Sequence, residues 1–505
     1  MKFRGNTLSD EQEHCLGEYS GLANGELLRI EAGAGASKTF TLNAIATLLS
    51  ANQSGLYLAY NTEIVAEVKS VFPAYVDVCT VHGLAYRYIG RHFESRLRDT
   101  ITLGMFVRTF GVNPEYGYES SQLAYHAIKT VERFCVSADI SLGLHHARGG
   151  EVSTQAADLV LFYAKRYWNA MTSATEQVPI FHDVYLKMFA LALCRGRLSV
   201  DYQFALLDEG QDSVAVVRQI FHYINAAKKV VVGDRFQSIY QWRYAIDALE
   251  QFSAHRSGQL TTSYRFGDNV AQLANATLRH YQNADTHFVG TGHTDIVFDR
   301  NVLAEPVGKK LVICRTNSSL FEVMMEHVSL GMQPGLRKSG ELPANLLHDI
   351  QLLKNGQAAH DRRFNGIRSF DELQSNIDMG LFSELKPLVR VVDKYGYDCV
   401  VNAMQKLAPH SESNIVLSTP HAAKGLECDT VVIHSDFDQR LHGGCDNIAE
   451  ESNLLYVALT RVKKQLDITR CTSLTRIYER TRHQGATQVN SKRNKFLSLF
   501  GDRSA

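Results

Sequence analysis

Residues 29–42 read RIEAGAGASKTFTL, and this stretch decides the fold. It passes from a strand-like segment through small residues into a helix-forming run that starts near Lys38. Small side chains allow backbone N–H groups to wrap a phosphate, and a helix N-terminus adds partial positive charge. On that reading Ala32, Gly33, Ala34, Gly35, Ala36 and Ser37 cradle the phosphates of ATP, Lys38 reaches the β- and γ-phosphates, and Thr39 can ligand Mg2+. Ser37 stands where a glycine usually precedes the lysine, so a strained or reshaped loop is expected there. Partners elsewhere in the chain must separate this reading from an ordinary Gly/Ala-rich turn.

Short apolar runs recur between helical stretches: LLRIEA (27–32), LYLAY (56–60), FALLDE (204–209), KKVVVGD (228–234), LVICRT (311–316), NIVLST (414–419) and DTVVIHSDF (429–437). Apolar strands of this length alternating with helices predict an α/β fold of parallel sheets covered on both faces. Four runs precede residue 235 and three follow residue 310, which predicts two lobes. Lys38 and Asp208 lie too far apart for one compact lobe, so an insertion is expected between them. The helix-like segments AYHAIKTVERFCV and TQAADLVLFYAKRYWNAM fall there. The expected boundaries are 1–88 and 182–257 for the first lobe with an insertion at 89–181, and 258–333 and 410–505 for the second with a shorter insertion at 334–409. Gly340, Gly356 and Gly366 punctuate that second insertion.

The phosphate loop finds its partners further on. LLDEGQDS (206–213) ends an apolar strand in two carboxylates: Asp208 to hold Mg2+ and Glu209 to orient and deprotonate the attacking water. Gln237, Arg265 and Arg461 fit the γ-phosphate, an arginine being suited to the charge of the transition state. Trp242, five residues after Gln237, suits base stacking, which contributes about 1–3 kcal/mol per base and tolerates any sequence.

With 53 basic and 53 acidic residues, any affinity for nucleic acid must come from a local face rather than a global field. The nine cysteines are scattered and never form a C-x-x-C pair, which predicts reduced thiols, no zinc site and no disulfide framework. The His145–His146 pair and His182 lack ligand partners at convincing spacing and are read as structural. The first residues carry no apolar signal region, and no run approaches the ~20 apolar residues of a membrane span. The expected location is the cytoplasm, with the nucleoid, or the nucleus of a eukaryote. The basic tail at 476–495 reads as a solvated helix and loop.

Together, AGAGASKT (32–39), LLDEGQDS, VGDRFQSIYQWRYA (232–245), SYRF (263–266), TPHAAKGLE (419–427) and LYVALTR (455–461) resemble superfamily 1A helicases of the UvrD, Rep and PcrA group. The order and spacing match from Gln12 to Arg461. YLAYNTEIVAEVKSVFP (57–73), VCTVHGLAYRYIG (78–90) and FHDVYLKMF (181–189) look most like the F-box DNA helicase branch, with no F-box recognisable before Gln12, so a relative without that adaptor is expected. The resemblance implies two RecA-like P-loop lobes, ATP with Mg2+, and single-stranded and partly duplex DNA as the partner. It implies that Gln12 contacts adenine, Tyr264 stacks on it and Glu427 reaches the ribose or phosphate side. It further implies DNA contacts by Asn61, Thr80, His82, Tyr240, Trp242, Arg243, Thr419 and His421, and 3′-to-5′ movement.

Three departures stand out: Gly210 for alanine, expected to be harmless; Tyr244 for glycine, which adds bulk; and the short second insertion. The expected activity is ATP-driven translocation and unwinding of duplex DNA, in repair, recombination or replication. Two rivals stay open: a motor that hydrolyses ATP on DNA without separating strands, such as a protein-removing translocase or a subunit of a defence complex, and a DNA-binding scaffold with a phosphate loop impaired by Ser37. Against the scaffold, a lapsed ATPase has no chemical use for Lys38, Asp208, Glu209, Gln237, Arg265 and Arg461 together.

Overall fold

A computed structural model of the chain describes residues 2–48, 54–98, 101–148, 152–239, 248–299, 305–337, 344–361, 364, 367–378, 385–442 and 447–483. It divides into two units. The first comprises Met1–Ala32, Lys38–Leu260 and Ala344–Val389, and the second Gly33–Ser37, Thr261–Pro343 and Arg390–Ala505.

The first unit is built on six parallel strands: β1 (Glu26–Ala32), β2 (Gly55–Ala59), β3 (Val76–Thr80), β4 (Asp201–Leu207), β5 (Asn225–Gly233) and β6 (Arg256–Leu260). Their order across the sheet is β3-β2-β4-β5-β1-β6. Every residue of β2 is buried, as expected of a strand covered on both faces. Around the sheet lie α1 (Asp10–Ser20), α2 (Lys38–Thr47), α3 (Thr62–Lys69) and α4 (Val81–Tyr88). Next come α5 (Leu103–Phe110), α6 (Ser120–Val136), α7 (Leu144–Arg148) and α8 (Thr154–Thr172), then α9 (His182–Cys194) and α10 (Ala215–Tyr223).

Two of the apolar cores among the described residues of this unit bear on its layout. Leu84 of α4, Phe189 of α9 and Phe221 of α10 close over the strand residues Leu56, Leu58 and Leu207. A separate core joins Phe106 of α5, Val131 of α6, Ala147 of α7 and Tyr167 of α8, so the segment between β3 and β4 packs as a helical body of its own. Phe106 sits at its centre, edge-on to Tyr167 with ring centroids 5.1 Å apart.

The second unit repeats the parallel architecture with β7 (Asp295–Val297), β8 (Lys310–Ile313), β9 (Gly335–Arg337), β10 (Ile415–Ser418), β11 (Cys428–Ile433) and β12 (Val462–Asp467), ordered β7-β12-β11-β8-β10-β9. Helices α11 (Asp268–Gln282) and α12 (Ile448–Leu459) pack together. Every residue of α12 from Glu451 to Leu459 is buried, the signature of a helix enclosed on all sides. Between β9 and β10 the described residues form the helices Ala344–Lys354, Phe370–Asp378, Lys386–Tyr395 and Tyr397–Met404. Two α/β bodies with parallel sheets are therefore what the apolar runs predict. No helix among the described residues is long and apolar enough to cross a membrane.

Because the helical body has its own core, Phe106→Ala should destabilise it by about 3–5 kcal/mol while leaving the sheet intact. Amide hydrogen exchange should rise across α5 to α8 and stay unchanged in β4 and β5; equal acceleration in the sheet would show a single shared core.

Candidate active site

Parallel strands all end on the same edge of their sheet, and β4, β5 and β1 are neighbours. The residues that follow them in sequence are therefore delivered to one place: Asp208 and Glu209 after β4, Asp234 after β5, and Lys38, at the start of α2, after β1. There Lys38 Nζ lies 2.7 Å from Glu209 Oε1. Thr39 Oγ1 donates to Asp208 Oδ2 at 3.4 Å, and the Tyr57 hydroxyl donates to the same oxygen at 2.5 Å. Gln211 ties the rest together. Its amide nitrogen donates to Glu209 Oε2 at 2.5 Å and to Asp212 Oδ2 at 3.3 Å, and its oxygen accepts from the Asp234 N–H at 3.0 Å. The Gln237 amide donates to Asp234 Oδ2 at 2.7 Å.

The charges shift one another. Burial pushes the Asp208 carboxyl up, the Glu209 carboxylate adds to this, and Lys38 only partly offsets them. Burial alone would lower the Lys38 ammonium, but Glu209, Asp208 and Asp234 outweigh it and raise it, so the side chain stays charged. Burial and the Asp208 charge both push the Tyr57 phenol up, which keeps it a donor. The arrangement can bind a dication at Asp208 and Thr39, bind a polyanion at Lys38, and present Glu209 as a base.

Two backbone positions carry strain. Ser37 has φ +56° and Glu209 φ +53°, left-handed values that cost a side-chain-bearing residue of order 1–3 kcal/mol. The strained loop expected from serine at position 37 is thus present. Gly210 fits its surroundings: a Cβ there would lie 2.4 Å from Val231 Cγ2 and 3.2 Å from Leu249 Cδ1. It is the alanine that this chain does not accommodate without a shift, because Val231 fills the space its methyl needs.

Gln12, expected at adenine, is buried at the third position of α1. Its side-chain oxygen accepts from the Ser9 N–H at 3.0 Å in a capping box, and its amide donates to Thr41 Oγ1 at 3.3 Å. Asn61 follows β2 and Thr80 ends the neighbouring β3, and both cap the next helices, accepting from Ile64 N–H and Gly83 N–H at 2.9 Å each. His82 lies 2.9 Å from Asp183 Oδ1, half-exposed. Tyr240, Trp242, Arg243 and Tyr244 lie outside the described residues.

Within the second unit, Arg265 is bound to Glu427: Nε donates to Oε1 at 2.8 Å and a terminal nitrogen lies 2.7 Å from the same oxygen. A third nitrogen of Arg265 donates to the Thr460 carbonyl at 3.0 Å. Arg461 is almost wholly buried, with Nε donating to the Val457 carbonyl at 2.9 Å and a terminal nitrogen to Thr460 Oγ1 at 3.1 Å. Burial alone would raise the Glu427 carboxyl, but Arg265, Lys463 and Arg461 hold it below the usual range. Tyr264 is half-exposed, and its N–H donates to the Gly35 carbonyl at 3.0 Å. Gly35 itself has φ +74°, and a Cβ on it would lie 2.5 Å from Ser263 Oγ. Thr419, just after β10, occupies the N-cap position of the helix Pro420–Ala423 without a capping hydrogen bond from its side chain, and His421 lies inside that helix.

Three neutral residues given no role in the sequence reading support these groups: Tyr57, Gln211 and Tyr456, whose hydroxyl accepts from the Ala34 N–H at 3.1 Å. The signal available for the tyrosines was a phenol inside an otherwise apolar buried run, since a buried hydroxyl needs a partner.

A phosphate loop and paired carboxylates at the same edge of one parallel sheet, in a chain with a second parallel α/β body, define a P-loop protein of the two-lobed RecA-like class. Comparison with known proteins narrows this. The UvrD/REP helicase N-terminal domain matches residues 149–255, and the UvrD-like helicase C-terminal domain matches residues 344–473. F-box DNA helicase protein 1 of Schizosaccharomyces pombe is 27% identical over 497 residues, covering 88% of this chain and 55% of that protein. F-box DNA helicase 1 of Gallus gallus is 26% identical over 505 residues, covering 91% and 48%. The two matched domains and the relatives support a likeness to the UvrD/Rep-like superfamily 1 helicases, and the chain spans about half the length of the curated relatives it matches.

Gly210→Ala should lose about 1–3 kcal/mol in urea unfolding through the overlap with Val231, and Val231→Ala in the same chain should recover part of it. Ser37→Gly, by contrast, should be tolerated, since glycine adopts the left-handed conformation without steric cost. An unchanged midpoint for Gly210→Ala would show that Val231 moves aside freely.

Proposed function

We propose that this protein is an ATP-dependent DNA helicase that hydrolyses ATP on single-stranded DNA and moves 3′ to 5′ to unwind a duplex. The observation that carries the reading is the 2.7 Å pair between Lys38 and Glu209 beside Asp208 and Thr39. Lys38 is the group that a triphosphate attracts, and its departure from Glu209 leaves that carboxylate without its cation and able to take a proton from water. Asp208 and Thr39 fit Mg2+: both are hard oxygen donors, and both meet at Asp208 Oδ2. When bound, the ion neutralises phosphate charge.

Gln211 and Tyr57 orient the two carboxylates, and Gln237, held by Asp234, is the proposed γ-phosphate sensor. Arg265 and Arg461 are the proposed transition-state cations, Glu427 and Tyr264 nucleotide contacts, and Gln12 the adenine contact. Asn61, Thr80 and His82 are proposed to meet DNA because they cluster at the carboxyl ends of β2 and β3, where open parallel sheets bind ligands. Thr419 and His421 hold the equivalent place after β10. The names of the matched relatives, both DNA helicases, support DNA as the substrate and a nuclear or nucleoid setting.

The first test is steady-state ATP turnover with and without single-stranded DNA. Stimulated turnover should fall at least about 10²–10³-fold in Lys38→Ala and Glu209→Gln, with DNA binding retained in both. A partial duplex with a 3′ tail should be unwound and one with a 5′ tail should not. Stimulated turnover without strand displacement would instead identify a translocase, and no turnover in either condition would overturn the reading.

A further inference from the structure

The helical body of the first unit carries a cluster that nucleotide chemistry does not use. α6 ends at Val136, and residues 137–143 lead into α7. Here Asp139, His145 and His146 bring three ligand atoms within 4.8 Å of one another. His145 Nε2 lies 2.9 Å and His146 Nε2 3.0 Å from one carboxylate oxygen, Asp139 Oδ2. The imidazoles lie side by side, with centroids 3.9 Å apart and planes 40° apart. Consecutive helical residues point about 100° apart, so helix geometry alone does not make both rings converge on one atom.

The surroundings suit a ligand set. His146 is buried, and its Nδ1 sits 3.1 Å from the Gly143 N–H and 3.2 Å from the Gly143 carbonyl. In the tautomer whose Nδ1–H is donated to that carbonyl, Nε2 turns a lone pair towards the carboxylate, as a metal ligand does; in the other, Nδ1 accepts from the Gly143 N–H and Nε2–H donates to Asp139, the state of the empty site. The backbone carrying the ligands is held firmly. Lys187 of α9, itself buried, donates to the carbonyls of Ser137 and Asp139 at 2.8 and 2.6 Å. Gln219 of α10 donates to the Ala138 carbonyl at 2.8 Å, and Arg133 to the His146 carbonyl at 2.6 Å. His145 and Asp139 remain exposed, which gives an ion a way in.

We propose that Asp139, His145 and His146 bind one divalent transition-metal ion of the zinc type, clamping the α6–α7 connection. Two imidazoles and a carboxylate favour zinc over magnesium or calcium, so the ion that accompanies ATP is a poor competitor. Ligands about 2.0–2.1 Å from zinc in a tetrahedron are about 3.3 Å apart, so the two histidine-to-carboxylate spacings of 2.9 and 3.0 Å need open by only a few tenths of an ångström. Water completes the fourth position; Ser137 Oγ, 3.3 Å from His146 Nε2, is placed to hold it. Sequence spacing missed the third ligand because it lies upstream of the histidine pair, across the turn.

The test uses the full chain without an affinity tag, stripped by a chelator and free of nucleotide. Co2+ should bind with one equivalent, develop the intense visible absorption of a tetrahedral site, and be displaced by Zn2+ but not by Mg2+. Asp139→Asn and His145→Gln, both at exposed positions, should weaken binding about tenfold or more. Zn2+ should raise the melting temperature of the unsubstituted protein and not that of the two variants. Weak Co2+ binding with a hexa-aqua-like spectrum, or tight binding unchanged in both variants, would overturn the proposal.

Discussion

The candidate active site rests on one constraint, the side-by-side parallel pairing of β4, β5 and β1. In register, Leu206 of β4 faces Val230 of β5, and Ile30 of β1 faces Val232. A strand reversed in this set would send its following loop to the opposite edge of the sheet. The strands can hold that order because both sheet faces are buried under helices, with Phe189 and Phe221 contributing to the cover. Apolar burial thereby fixes where the charged groups of the site meet. The strain sits at the transition from strand to loop, in the left-handed backbones of Ser37 and Glu209.

The electrostatics of the first unit follow from that forced meeting. Asp208, Glu209 and Asp234 gather around Lys38, and burial deprives them of water. Separated from solvent, carboxylates need donors or cations, and removing a single partner from a buried charge costs several kcal/mol. Neutral donors meet much of this need: Tyr57 and Thr39 on Asp208, Gln211 on Glu209, Gln237 on Asp234. Such donors stabilise the carboxylates without neutralising them. The cluster therefore keeps its attraction for a dication while remaining hydrogen-bonded.

Much of the fold was legible because buried parallel strands read as unbroken apolar runs. Most inner strands of both sheets were found that way, but β12 was not: in VKKQLD the run is broken by Lys463, Lys464 and Gln465. The outermost strands β3, β6, β7 and β9 were also missed: VDVCT, RSGQL, DIV and GLR are short, and an edge strand exposes one side and tolerates polar residues. The charged members of the site were legible because phosphate chemistry requires those residue types at strand ends. Tyr57 and Gln211 escaped notice because their roles depend on which strands are neighbours, which the linear order does not state. Gly210 escaped for a related reason, since its need for a bare Cα comes from Val231 on the adjacent strand.

The second unit presents the opposite electrostatic case. Arg265 and Lys463 pair with Glu427, and Arg461 adds to the field on it, so among the described residues three cations act on one carboxylate. Arg461 is also almost wholly buried, with its guanidinium donating to the Val457 carbonyl and Thr460 Oγ1. A buried guanidinium fixed by backbone and hydroxyl oxygens stays charged and loses little freedom when it meets an anion. Position and charge are thus established by folding, and the ordering cost is met before a ligand arrives. Within each unit, taken by itself, the sign of the local field is therefore different: carboxylates outnumber Lys38 in the first cluster, and Arg265, Lys463 and Arg461 outnumber Glu427 in the second.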